Sequence, residues 1–203
     1  MRPTRSKKRR DKLVAWAEAE PDVLLWWQDE CWFSRFAQPN THAWGGLQMI
    51  EREPARNESH KALACYGAVR ADSGQMHLAF CPGQPNSDST LQFLPQLLDI
   101  GRAEGKRCII VIWDHASWHK SKKVHRWVRE HNQQAKHNGD PRLLVWLLPK
   151  KSPWLNPIEA RWLHGKRAVL EPGTDPLTAP HLCHRLCAYY HTGFVELYSN
   201  DVC

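Results

Sequence analysis

Apolar runs and their polar punctuation divide the chain into alternating strands and helices. Val23-Leu24-Leu25-Trp26-Trp27-Gln28 and Cys108-Ile109-Ile110-Val111-Ile112-Trp113 are unbroken stretches of strand length, the pattern of strands covered on both faces, and Leu143 to Leu148 is a third. Between the first two, residues 41–50 predict a strand with a glycine bend. Lys61 to Val69, with Gly67 inside, and Gln75 to Phe80 predict a hairpin closed by Asp72-Ser73-Gly74. Helical spacing marks Leu91, Phe93, Leu94, Leu97, Leu98 and Ile100, behind a cap at Ser87 or Asp88. A basic helix over roughly 121–135, opened from Ser117 or Lys120, carries Lys122, Lys123, Arg126 and Arg129, and the polar loop Lys136 to Pro141 follows. Pro157, suited to a first helical turn, starts another helix from Ile158, and Leu13 to Glu20 is a short helix stopped by Pro21.

The order is antiparallel-looking strands, then helix, strand, helix, strand, helix, an α/β arrangement. The first strand ends in Asp29-Glu30 and the later central strand in Asp114. Parallel neighbours bring their carboxyl ends to one edge of a sheet, so Asp29 and Asp114, 85 residues apart, are expected to converge, with a helix across that edge adding Glu159. Taken alone, an Asp after a strand is equally a cap for the turn or helix that follows. Three gathered acids raise one another's pKa and repel unless a cation compensates. Oxygen ligands without a Cys/His set suit Mg²⁺ or Mn²⁺, and two such ions can activate a nucleophile and stabilise the leaving oxygen in phosphodiester cleavage.

Charge changes this picture at one end only. Of the net +7, residues 1–12 hold +6, from Arg2, Arg5, Lys7, Lys8, Arg9, Arg10 and Lys12 against Asp11, and the other 191 residues hold +1. Such an arm suits nucleic-acid phosphates, and it also suits a solubilising tail. No apolar run approaches a membrane span, no secretory signal is expected, and seven irregularly spaced cysteines suit reduced thiols, so a soluble cytoplasmic protein is expected. At 203 residues one main domain fits, with residues 1–20 as basic arm and short helix, 21–170 as the body and 171–203 as a C-terminal extension.

Three blocks carry a resemblance. Trp27-Gln28-Asp29-Glu30-Cys31-Trp32-Phe33, Trp113-Asp114-His115-Ala116-Ser117-Trp118-His119-Lys120-Ser121 and Leu148-Pro149-Lys150-Lys151-Ser152-Pro153-Trp154-Leu155-Asn156-Pro157-Ile158-Glu159 resemble, in order, the blocks of DDE transposase catalytic domains of the mariner-like superfamily and its bacterial insertion-sequence branch. The third block is the most distinctive. The resemblance implies an RNase H-like fold, with a mixed five-stranded sheet of three antiparallel strands then two parallel ones, flanked by helices. It implies Asp29, Asp114 and Glu159 as catalytic metal ligands for Mg²⁺ or Mn²⁺, as two ions. It also implies cleavage of transposon-end double-stranded DNA and transfer of the freed 3′-hydroxyl into target DNA, by a homo-oligomer working at the nucleoid.

The departures from that pattern set further expectations. His115 stands where the family usually has Asn, and the interval between second and third acids is long, with Asn132 to Pro141 as the expected insertion. The family's helix-turn-helix region is missing from the sequence, which suggests a separate DNA-reading or frameshift partner, or else an inactive or regulatory remnant that binds DNA without catalysis. His119, Lys120, Lys150, Lys151 and Trp154 are candidate DNA contacts by charge and stacking, although packed or solvated roles explain them too. Glu30, next to Asp29, points to the opposite face and reads as a surface or salt-bridge residue. His181, Cys183, His184, Cys187 and His191 invite a zinc reading, but Leu182, Leu186 and Tyr189 among them fit an ordinary amphipathic helix better.

Overall fold

The computed structural model describes residues 5–34, 62–81, 83–150, 152–169 and 178–197. In chain order it contains α1 (Arg5–Ala19), β1 (Val23–Ser34), β2 (Ala62–Arg70), β3 (Met76–Cys81), α2 (Ser87–Ala103), β4 (Cys108–Trp113), α3 (Lys122–Asn138), β5 (Arg142–Leu147), α4 (Ile158–Val169) and α5 (Ala179–Tyr190). The strands form one sheet in the order β3-β2-β1-β4-β5. β1, β2 and β3 pair antiparallel, while β4 lies parallel to both β1 and β5. This is the mixed five-stranded sheet expected. The strand expected at 41–50 lies outside the described residues.

Strand alternation sorts the core into two layers. Val23, Leu25 and Trp27 of β1 and Cys108, Ile110 and Ile112 of β4 face the side covered by α1, α4 and α5. Leu24, Trp26, Ile109, Val111 and Trp113 face α2 and α3. That double covering is why β4 reads as continuous apolar sequence, and all six of its residues are buried. Leu182, Cys183, Leu186 and Cys187 of α5 join the first layer, so the two cysteines of the zinc reading sit in the core while His184 stacks on Phe194. No described helix is long and apolar enough to cross a membrane.

Several boundaries depart from expectation for local reasons. Asn86, rather than Ser87 or Asp88, caps α2, its side-chain oxygen accepting from the N–H groups of Asp88 at 2.8 Å and Ser89 at 2.9 Å. Ser121, rather than Ser117 or Lys120, caps α3 through the Val124 N–H. The helix then runs to Gly139, whose φ of +77° ends it, so most of the expected insertion is helix. α1 begins at Arg5, making most of the basic arm helical.

Both outer strands carry attachments. Asn132 of α3 donates to Leu143 O (2.8 Å) and accepts from Leu143 N (2.7 Å), so one side chain satisfies an outward backbone pair of β5. At the opposite edge, Phe80 N donates to Val195 O (2.9 Å) and Leu197 N donates to Phe80 O (2.7 Å), laying the C-terminal segment along β3.

Candidate active site

β1 pairs with β4 from Val23↔Cys108 to Trp27↔Ile112, an offset of 85 that equals the separation of Asp29 from Asp114. β4 ends at Trp113, but β1 continues to Ser34. Asp29 therefore sits within β1, beside the point where its parallel neighbour stops, not at the end of its own strand. By alternation Asp29 shares the face of Trp27 and Cys31, the face on which α4 is packed.

Two contacts seat α4 there. Asn156 is buried and its amide nitrogen donates to Gln28 O at 3.1 Å, tying the start of the helix to the residue before Asp29. Trp162, about one turn into α4, lies over Gly67, which is the β2 residue paired with Asp29. A Cβ at Gly67 would stand 2.3 Å from the Trp162 ring, so a side chain here is incompatible with the seat. These contacts bring Glu159, in the first turn of α4, toward the two strand acids.

The electrostatics follow from this crowding. Burial first, then Glu30, Glu159 and Asp114, push the Asp29 carboxyl up to about 8. Glu159 is also raised, by burial and by Asp114, with Lys166 opposing. Burial would raise Asp114 as well, but hydrogen bonds from His119 and the Ala116 N–H outweigh it and hold its carboxyl low.

His119 corrects one expectation. It has no exposed surface, so it is not a phosphate contact. Its ring stacks on Trp113 at 4.4 Å, with Nδ1 2.9 Å from Asp114 Oδ1 and Nε2 3.0 Å from Glu30 Oε1. Burial opposes its protonation, yet the two carboxylates prevail and raise it to about 9, so the ring is an imidazolium donating from both nitrogens. Glu30, expected as a surface or salt-bridge residue, is the latter: it pairs with His119, keeps only 5 % of its side chain exposed and accepts from Gln28 Nε2 at 2.8 Å as well. It does point to the face opposite Asp29, as alternation requires, but the 114–120 loop covers it there.

A cleft of about 420 Å³ opens beside the acids, lined by Asp114 and Glu159 with His115, Lys120, Lys150 and Asn156. Asp29 is not among its lining residues. Lys120 and Lys150 thus stand where DNA contacts were expected. Trp154 is 76 % exposed in the Pro153–Leu155 turn at the cleft's border, and Lys151 lies outside the described residues. Lys166 was not anticipated. It lies seven residues beyond Glu159, hence on the same side of α4, and both spacing and charge were readable.

The donor set suits a hard divalent cation. It consists of carboxylates with raised or crowded charge, and the buried Asn156 Oδ1 at the cleft has no hydrogen-bond partner. As the side chains stand, no group of three His, Cys, Asp or Glu among the described residues converges in coordinating geometry.

The chain belongs to the DDE superfamily endonucleases, whose family pattern matches residues 24–175. No curated protein sequence matches it. Among solved structures it is similar to the Mos1 transposase paired-end complex with left transposon end (TM-score 0.59, 16 % identity, 93 % of this chain and 54 % of that one). It is also similar to the mariner Mos1 paired-end complex with Mg (TM-score 0.53, 16 %, 93 % and 56 %). A third is the Mos1 transposase catalytic domain with raltegravir and Mn (TM-score 0.50, 14 %, 95 % and 85 %). At these identities the likeness is one of fold, which is RNase H-like. The chain spans about half the length of the Mos1 chains in the paired-end complexes.

Proposed function

We propose that this chain is the catalytic domain of a DNA transposase of the mariner-like superfamily, in its insertion-sequence branch, acting in the cytoplasm at the nucleoid. Asp29, Asp114 and Glu159 would hold Mg²⁺ or Mn²⁺, as two ions. The observation that supports this reading is the shared offset of 85, which carries Asp29 and Asp114 to the same end of the β1–β4 pair, with α4 packed on the face that Asp29 shares with Trp27 and Cys31. When bound, the metal supplies an activated nucleophile and charge neutralisation at the phosphate. The chain's own contribution is to hold the three carboxylates close at a cost in repulsion, and to present Lys120, Lys150 and Trp154 along the cleft for DNA backbone and bases. The reaction is cleavage of transposon-end phosphodiesters followed by transfer of the 3′-hydroxyl to target DNA, with end choice supplied by a separate helix-turn-helix partner and a homo-oligomer forming on the DNA.

The test is cleavage of a transposon-end duplex with Mg²⁺, by this chain alone and with such a partner. Asp114→Ala should lower the rate by at least about 10³-fold, and activity surviving that substitution overturns the assignment. A regulatory domain that binds DNA without catalysis is the second reading. It predicts no cleavage with either metal and no effect of Mn²⁺ on folding stability.

His119 gives a finer check. As the group positioning Asp114, it should make His119→Gln bind Mn²⁺ about 10–100-fold more weakly by electron paramagnetic resonance, with an unchanged circular dichroism spectrum. Wild-type Mn²⁺ affinity in that variant would show that the bridge to Glu30 is only structural.

A further inference from the structure

The ion pairs of this molecule are unevenly placed. At the edge of the sheet away from the acids, basic groups are matched by carboxylates. Arg70 bonds Asp72 and Glu104, Arg102 bonds Asp99 and Asp140, and Arg107 bonds Asp22 and Glu20. The first two turns of α1 differ: Arg10 pairs with Asp11, but Lys8, Arg9 and Lys12 have no carboxylate partner among the described residues.

Where that part of α1 lies can be read from two ring contacts. Only residues 20–22 separate α1 from β1, so the helix runs back along the sheet antiparallel to it. At its C-terminal end, Trp16 sits 6.0 Å from the guanidinium of Arg107, the residue before β4 begins. Toward its N-terminal end, the Arg9 guanidinium lies 5.7 Å over Trp146, near the close of β5. Trp146 pairs with Ile112, which pairs with Trp27. Arg9 therefore reaches the sheet two residues short of the level of Asp29 and Asp114, about 7 Å along the strands. Earlier residues of α1 continue toward the acids.

The sequence of the helix changes character at the same place. Leu13, Val14, Trp16 and Ala17 pack on the core. One turn earlier, the positions four residues before Leu13 and Val14 are Arg9 and Arg10, so the buried seam becomes cationic as it nears the catalytic edge. Lys150, four residues beyond Trp146, extends the positive surface into the cleft.

We infer that the Lys8, Arg9 and Lys12 face of α1 binds the phosphate backbone of duplex DNA beside the acid cluster, an inference that rests on the proposed action on DNA. The contact is independent of sequence and salt-dependent, each phosphate contact contributing about 0.9 to the slope of log affinity against log salt. It places a second positive wall across the catalytic edge from Lys120.

The test is anisotropy titration of a fluorescein-labelled duplex by the full chain in EDTA, between about 50 and 200 mM KCl. Lys8→Gln/Arg9→Gln/Lys12→Gln should raise Kd about tenfold or more and lower the slope by about two to three. An unchanged Kd and slope overturns the inference. Because Arg9 packs on Trp146, its loss could unseat α1. Lys8→Gln/Lys12→Gln avoids this and should lower the slope by about two with an unchanged Tm. Equal losses on single-stranded RNA of the same length overturn the commitment to duplex DNA. Cleavage is read separately in Mg²⁺. If the wild-type chain does not cut, the proposed activity fails, while a loss of binding by the variants in EDTA still upholds the α1 face.

Discussion

Asp29→Asn should give a chain that is more stable than the wild type in EDTA and cuts no DNA. The Asp29 carboxyl is buried among acids and pushed up to about 8 from an ordinary 3.8. Between those values the unfolded chain has released this proton and the folded chain retains it, so wild-type stability falls as pH rises from about 4 to about 8. The asparagine amide has the same shape and no charge to repel. At pH 8 the gain should be a few kcal/mol, or a Tm higher by about 5 °C or more. The gap should narrow at pH 5 and close below about pH 4. Mg²⁺ should raise the Tm of the wild type and leave that of the variant unmoved, because a ligand stabilises only the form that binds it. Thermal unfolding across pH, with and without metal, checks each part. A variant less stable than the wild type at pH 8 would mean that the carboxylate makes a structural contact and the crowding is not a metal site.

Gly67→Ala should damage both stability and catalysis from a position that touches no substrate. The added methyl would lie 2.3 Å from the Trp162 ring, whose side chain is 97 % buried, given a relative exposure of 3 %. A flat ring held against Phe33 at 6.2 Å and Tyr190 at 6.4 Å has little room to swing, so α4 must move. Overpacking of this kind costs about 1–3 kcal/mol, or about 5 °C in Tm. Displacing Glu159 by about 1 Å should slow cleavage on the order of a hundredfold. Trp162→Leu, which removes the ring, should make the second loss much smaller when combined with Gly67→Ala, a coupling that a double-mutant cycle reads. Additive losses would show that the glycine does not serve the Trp162 seat.

How far the chain could be read without its structure depended on whether the relevant partner was near in sequence. The approach of Asp29 to Asp114 was legible because strand pairing in a parallel pair preserves sequence offset, so the two needed only the right neighbours. The Asn-Pro-Ile-Glu block was legible as a pattern, although why it needs asparagine was not: the reason is a hydrogen bond to Gln28 O, 128 residues away. For Glu30 the salt-bridge role was legible but its burial was not, because alternation gives direction but not what covers that direction, and the cover is His119, 89 residues on. Gly67 carried a signal, a glycine within a strand, whose meaning waited on the Trp162 ring. The α2 cap was missed by one residue because Asn86, Ser87 and Asp88 are all capable caps, and the choice among them depends on where the preceding loop turns. α3 outran its expected end at 135 since polar Lys136, His137 and Asn138 read as loop, whereas the helix stops only at Gly139, where the backbone turns left-handed.

The Asn132 amide has a consequence for how copies of this chain can come together. An outer strand with open N–H and C=O groups invites a second sheet to pair with it. Here Asn132 occupies such a pair on β5, and Val195 and Leu197 occupy those of Phe80 on β3. Sheet-to-sheet fusion is therefore disfavoured at both rims of the domain. Among the described residues, the helical surfaces and the cleft carry no such block, so copies assembling on DNA as proposed would meet more readily there or through the DNA itself.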